Sequence, residues 1–243
     1  IFFYNEKDTV LRKFHINYIR QCLNNFADNQ NVIQLISAEY TGPLHFTQFW
    51  IDVIADWEKQ TGKHPLIALS TTKDVQDSIL ADLVRSKVID IIDIRYWHYK
   101  TDGIFAPPGG ASMAPRQFMR KMKVGKTTYY EAYKAVNEYR NKYPDKAVTF
   151  FAQNYPELGW GIFMAGGSCP DLPVTEAEFL RDAAAMDVEQ TGTETYQQIG
   201  KSDKGCIIYS REVQPIKVQL SPGKYEIRAI QPYSGKMNIV EKD

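Results

Sequence analysis

Four short apolar runs recur through the first 152 residues, and helical periodicity fills the stretches around them. The runs are Val32–Ser37, Pro65–Ser70, Val88–Ile94 and Ala147–Ala152. Each is apolar at most positions and too short for a core helix, which suits a strand buried on both faces of a parallel sheet. Leu11, Phe14, Ile19, Leu23 and Phe26 recur at helical spacing over residues 9–27. Phe46, Phe49, Trp50, Val53, Ile54 and Trp57 do the same over 44–60, where Thr61-Gly62-Lys63 stops the pattern. Further helices are expected over 74–86, from Thr127 to Tyr143, around 160–164 and over 175–186. Strand and helix in strict alternation predict an α/β fold with a parallel sheet and right-handed crossovers. Lys100 to Lys126, with Pro107-Pro108-Gly109-Gly110 inside it, is expected as a long functional loop.

After Gln190 the period changes. Short strands are expected at Tyr196–Ile199, Cys206–Tyr209, Ile216–Leu220, Tyr225–Ile230 and Met237–Val240, with a hairpin turn at Pro222-Gly223. The chain thus divides into residues 1–190, an α/β domain, and residues 191–243, a small antiparallel β-sandwich.

Charge and motif content remove several classes of function. Lys plus Arg and Asp plus Glu number 29 each, so no basic excess points to nucleic acid or an anionic membrane. No apolar run approaches the roughly 18 residues of a membrane span. Cys22, Cys169 and Cys206 have neither metal-ligand spacing nor a disulfide framework. HExxH, P-loop and GxGxxG patterns are absent, so neither a metal nor a cofactor is expected. The chain opens on Ile1-Phe-Phe-Tyr4 with no initiator Met and no signal peptide, which reads as the middle of a gene product.

The carboxyl ends of the strands carry the polar residues. Glu39 follows the first run, at the end where parallel α/β folds place their chemistry. His45 lies just past the Gly42-Pro43 turn. Lys73 and Asp74 follow the second run, and Asp93, Arg95, Tyr96, Trp97 and His98 end the third. Gln153, Tyr155 and Glu157 follow the fourth. Tyr96 and Trp97 suit either stacking on a sugar ring or a packed aromatic cluster.

The segments Glu39-Tyr-Thr-Gly-Pro-Leu-His-Phe, Leu69-Ser-Thr-Thr-Lys-Asp-Val-Gln-Asp, Asp90-Ile-Ile-Asp-Ile-Arg-Tyr-Trp-His-Tyr and Phe163-Met-Ala-Gly-Gly-Ser carry a resemblance. They are similar to clan A glycoside hydrolase-like (β/α)8 barrel proteins, in particular the uncharacterised glycosidase-like proteins of gut Bacteroidetes that carry a small collagen-binding-like β-sandwich at the carboxyl end. The resemblance covers nearly the whole chain. It implies the C-terminal half of a TIM (β/α)8 barrel, strands four to eight, followed by the sandwich. The N-terminal barrel strands would be missing from this chain and supplied by a separate or preceding segment. Strand eight would be short, near Ser168–Pro173.

The resemblance also implies an activity. Glu39 would be the general acid/base of a glycoside hydrolase acting on a plant or host glycan, with Glu157 or Asp93 as the second carboxylate. His45, Lys73, Arg95, Tyr96, Trp97, Gln153 and Tyr155 would line the site for an oligo- or polysaccharide. A secreted or periplasmic location comes with it. Two positions depart from the clan's pattern: Ala38 stands where an Asn usually precedes the acid/base, and Gln153 stands where a Glu nucleophile usually sits. These departures also fit a degenerate barrel that binds carbohydrate without cleaving it, or an adhesion module acting through the cap.

Overall fold

A computed structural model describes residues 2–37, 41–111, 114, 117, 120–121, 127–151, 156–173, 176–186, 191–200 and 205–242, the side chains at 156–157, 191–192 and 241–242 aside. Two compact units divide the chain. The first comprises residues 1–127 and 143–148, the second residues 128–142 and 149–243.

The first unit alternates helix and strand: α1 (Thr9–Asn25), β1 (Ile33–Ile36), α2 (Leu44–Thr61), β2 (Leu66–Leu69), α3 (Lys73–Ala81) and β3 (Ile91–Ile94). A hairpin of β4 (His98–Lys100) and β5 (Gly103–Phe105) follows. β1 and β2 pair in parallel with Ile33 opposite Leu66 and Ile36 opposite Leu69. β2 and β3 pair in parallel with Ala68 opposite Ile91 and Leu69 opposite Ile92. After α4 (Tyr129–Lys142), the strand β6 (Ala147–Phe150) completes the order β1-β2-β3-β6.

Periodicity explains these elements. α1 begins at Asp8, whose carboxylate accepts the Leu11 N–H at 2.9 Å, an ordinary N-cap. Ile19 and Leu23 of α1 and Ile51, Ile54 and Trp57 of α2 are buried, the two helices pack on each other, and Trp57 Nε1 donates to Asn24 at 2.8 Å. Ile51, Ile67 and Ile92 are fully buried, each worth about 1.5–3 kcal/mol of transfer free energy. Arg12, also buried, lays its guanidinium over the Phe49 ring at 4.5 Å and donates to the Tyr4 carbonyl at 2.8 Å. β1 is the outermost strand of the order, and Ile33, Leu35 and Leu66 are partly exposed beside its edge.

Two expectations for this unit need correction. The helix foreseen over 74–86 ends at Ala81, and a 3-10 turn spans Arg85–Val88. Asp82 is the cause: its Oδ1 accepts the N–H groups of Val84 and Arg85 at 3.0 and 3.1 Å, which starts a new turn in place of continuing the old one. Val88 is therefore used in that turn, and the third strand begins only at Ile91. The loop foreseen from Lys100 opens with the β4–β5 hairpin, whose Lys100 pairs with Gly103 around Thr101-Asp102.

His64 marks the opposite end of the sheet from the strand ends that carry the candidate site. Its Nδ1 lies 2.6 Å from Glu58 Oε1 and its Nε2 lies 2.9 Å from Asp90 Oδ1. Asp90 Oδ2 also accepts the Ile67 N–H at 2.8 Å, which ties this cluster to β2. The hydrogen bond that His64 donates to Asp90 raises the imidazole pKa above its ordinary value. A raised folded-state pKa contributes stability that is present in full below the unfolded value and is lost as pH rises through the folded one. His64→Gln is thus expected to lower the melting temperature at pH 5.5 and to matter less at pH 8.5. Because His64 is half exposed, the low-pH loss is discounted to about 0.5 kcal/mol. Thermal unfolding at the two pH values measures it; equal loss at both would remove the charge from the account.

The second unit holds α4, α5 (Pro156–Met164), α6 (Ala177–Ala184) and two small antiparallel sheets. One sheet has β7 (Thr191–Gly192), β8 (Tyr196–Ile199) and β9 (Ile207–Ser210) in that order. The other pairs β10 (Glu226–Ile230) with β11 (Met237–Lys242). Tyr129 of α4 stacks on Tyr209 of β9 at 4.8 Å and donates to Gln197 of β8 at 2.6 Å. Residues 168–173 form no strand, and neither do 216–220. Pro215 and Pro222 flank the latter run and offer no ladder N–H at either end. The expected turn at Pro222-Gly223 does not join two strands; the hairpin closes instead over Gln231–Lys236.

Candidate functional site

The carboxyl ends of β2 and β3 bring the described polar residues together. Register decides this: Leu69 opposite Ile92 sets Ser70, at the exit of β2, beside Asp93. Ser70 Oγ donates to Asp93 Oδ2 at 2.6 Å, and Arg95 Nε donates to the same oxygen at 2.9 Å. Ser70 is fully buried and Asp93 is 5 % exposed, so this carboxylate sits inside the protein with a hydroxyl and a guanidinium on one oxygen. A buried charge is tolerated only with such partners.

Beneath it lies a second polar layer. Gln76, on the inward face of α3, donates from Nε2 to the Leu69 carbonyl at 2.9 Å and to the Asp93 carbonyl at 3.2 Å. Its Oε1 accepts the Trp97 indole N–H at 3.0 Å. One side chain thereby joins the ends of two strands to the segment after β3. Lys73 places its ammonium 4.6 Å from the Trp97 ring centroid and 3.0 Å from Asp77 Oδ2.

Loops extend the site toward β1. Asp74, in the first turn of α3, accepts the hydroxyl of Thr72 at 2.6 Å and the Gly109 N–H at 2.9 Å. The Gly110 N–H donates to the Thr41 carbonyl at 2.7 Å. The 109–110 segment is thus stitched to the loops that follow both β1 and β2. A Cβ at Gly109 would collide with Val75 and come within 3.1 Å of the Gly42 carbonyl, so only glycine lies this close. An open recess of about 800 Å³ adjoins these loops, walled by Pro43, His45 and Gly110 and by Phe2 and Tyr4–Lys7 ahead of α1. His45 Nε2 meets the Tyr4 carbonyl at 3.2 Å, the same oxygen that Arg12 holds from below. A recess of this size is ample for a small ligand.

The expected residues fall in three groups. Asp93, Arg95, Lys73, Tyr96 and Trp97 gather at the ends of β2 and β3, while His45 lines the recess. Tyr96 and Trp97 are 6 % and 1 % exposed, so they are packed under the site and present no open ring face. Glu39, Gln153 and Tyr155 lie outside the described residues, as does the side chain of Glu157, whose backbone starts α5. Two residues before Glu39, Ser37 holds a φ of 68°, a left-handed conformation uncommon for a residue other than glycine. Strain of that kind gathers at functional sites. Ser70 and Gln76 were missed from sequence. The available signal was a glutamine set within the Val75, Ile79 and Leu80 stripe of α3, since a polar residue on an inward face needs buried partners.

Among the described residues no group of three or more His, Cys, Asp or Glu side chains is arranged to hold a metal ion. No helix among them is long and apolar enough to cross a membrane. No curated protein and no solved structure matches the chain. A family model does match, over residues 1–186, and the chain belongs to that family, described as Domain of unknown function (DUF6298).

Proposed function

We propose that this protein is a glycoside hydrolase acting on a plant or host glycan, built on the C-terminal half of a (β/α)8 barrel and capped by a small β-sandwich. The observation that carries the reading is the buried Asp93 carboxylate at the carboxyl end of a parallel strand, held by Ser70 and Arg95. The recess beside the loop after β1, walled by Pro43, His45 and Gly110, supplies room for sugar. In this reading Glu39 protonates the glycosidic oxygen as the bond breaks. Asp93 is the second carboxylate, and Arg95 holds one of its oxygens in place as the sugar develops positive charge. The guanidinium of Arg95 and the ammonium of Lys73 at the strand ends suit a ligand rich in oxygen acceptors. The resemblance that suggests this chemistry also suggests a secreted or periplasmic site of action.

A panel of plant and host polysaccharides, assayed for new reducing ends, tests the proposal. Glu39→Gln is expected to lower kcat by about 100-fold or more, the usual share of a general acid. The pairing of Asp93 to Arg95 favours a second reading, a barrel that binds carbohydrate without cleaving it. Binding of an oligosaccharide with no turnover, unchanged in Glu39→Gln, would establish that reading and end the first.

A further inference from the structure

The second unit contains a cleft that the proposed reaction does not use. It has a volume of about 240 Å³ and lies between α5, the segment Asp171–Pro173 and the turn Pro232–Tyr233. All three walls are fixed. Trp160 of α5 is 4 % exposed and stacks on Tyr209 at 5.8 Å, which in turn stacks on Tyr129. Its indole N–H donates to the Pro232 carbonyl at 2.8 Å and so fastens the turn to the helix. The Asp171 backbone runs so close to Gly159 that a Cβ there would overlap the Asp171 carbonyl.

Tyr233 is the unusual member. It is 81 % exposed, yet its turn is tightly ordered. Gln231 Oε1 accepts the N–H groups of both Tyr233 and Ser234, at 2.7 and 2.8 Å, and the Gln231 carbonyl accepts the Gly235 N–H at 2.9 Å. An aromatic side chain on a braced turn beside a recess is a pre-organised contact, because little backbone freedom remains to be lost on binding. Asp171 is exposed at the same cleft and offers two acceptor oxygens.

We propose that this cleft binds a single pyranose ring of a neutral glycan. Tyr233 would cover the apolar face of the ring, and Asp171 would accept from its hydroxyls. The volume suits one ring, the exposed aromatic selects a ligand with a C–H face, and the carboxylate selects hydroxyl donors and disfavours anionic sugars. The assignment stands on the second unit alone and holds whether or not the chain cleaves a glycosidic bond.

The test is titration of the full chain with neutral xylo-, gluco-, galacto- and manno-oligosaccharides, followed by Trp fluorescence and saturation-transfer NMR. At least one series is expected to bind. Tyr233→Ala should weaken it tenfold or more, Asp171→Asn should weaken it severalfold, and Tyr233→Phe should keep most of the affinity. Circular dichroism confirms that the variants fold, as the exposure of Tyr233 leads one to expect. The proposal is overturned if no series binds, if Tyr233→Ala binds every series as tightly as the unchanged chain, or if the cleft takes a proline-rich peptide and no sugar.

Discussion

Asp93→Ala is expected to lower the free energy of unfolding by about 3 kcal/mol, the scale on which a broken buried ion pair costs stability. The loss has two parts. Ser70, fully buried, gives up a 2.6 Å acceptor, and Arg95, itself partly exposed, gives up a buried carboxylate 2.9 Å away. Asp93→Asn keeps an oxygen for Ser70 and removes only the charge, so its cost should be about half as large. Urea denaturation of the three proteins measures both. If asparagine costs nothing, the charge contributes nothing to stability; if alanine and asparagine cost the same, the charge accounts for the whole loss and the Ser70 hydrogen bond adds nothing to it. The same pair of variants bears on activity, because a second carboxylate must be ionised to act whereas a structural acceptor need not be.

Gly159→Ala is the second large effect, and it arises from the smallest possible substitution. The added methyl would occupy the position of the Asp171 carbonyl, which is backbone and cannot swing aside like a side chain. Either α5 or the 171–173 segment must move. Overpacking costs about 1–3 kcal/mol where side chains can yield, and the upper end or more is expected here. Gly62→Ala provides the comparison: its Cβ would meet nothing within 4 Å, and only the left-handed φ of 68° opposes it, at about 1 kcal/mol. A melting temperature that falls no further for Gly159→Ala than for Gly62→Ala would mean that the two segments are not held in contact.

The α/β core was legible because its strands are apolar on both faces and its helices carry one stripe each. Ile67, Leu69, Ile92 and Ile94 could hardly be placed anywhere but in a buried parallel sheet. The site was legible only to the level of single strand ends. That Ser70 meets Asp93, 23 residues away, depends on register, and periodicity does not encode register between parallel strands joined by a helix. Burial divided the aromatics in a way composition could not. Trp97 and Tyr96 lie under the site, whereas Tyr233 stands out into solvent. Pro222-Gly223 was a local turn signal with no ladder to join. The turn that closes the hairpin, at Pro232–Gly235, became visible only once β10 and β11 had found each other. A local signal is satisfied at both places, and tertiary pairing chooses between them.

The outermost position of β1 also governs how the chain behaves at high concentration. Ile33 and Leu35 flank a row of ladder groups at the sheet margin, with Leu66 opposite Ile33. Among the described strands β1 is flanked on one side only, and an apolar outer strand is a template for further strand pairing. Repulsion between molecules is weakest near pH 7, because the formal net charge is zero and the isoelectric point is about 7.1. Buffer pH well away from neutrality therefore keeps the molecules apart through charge, and a strand laid along β1 would remove the hazard at its source.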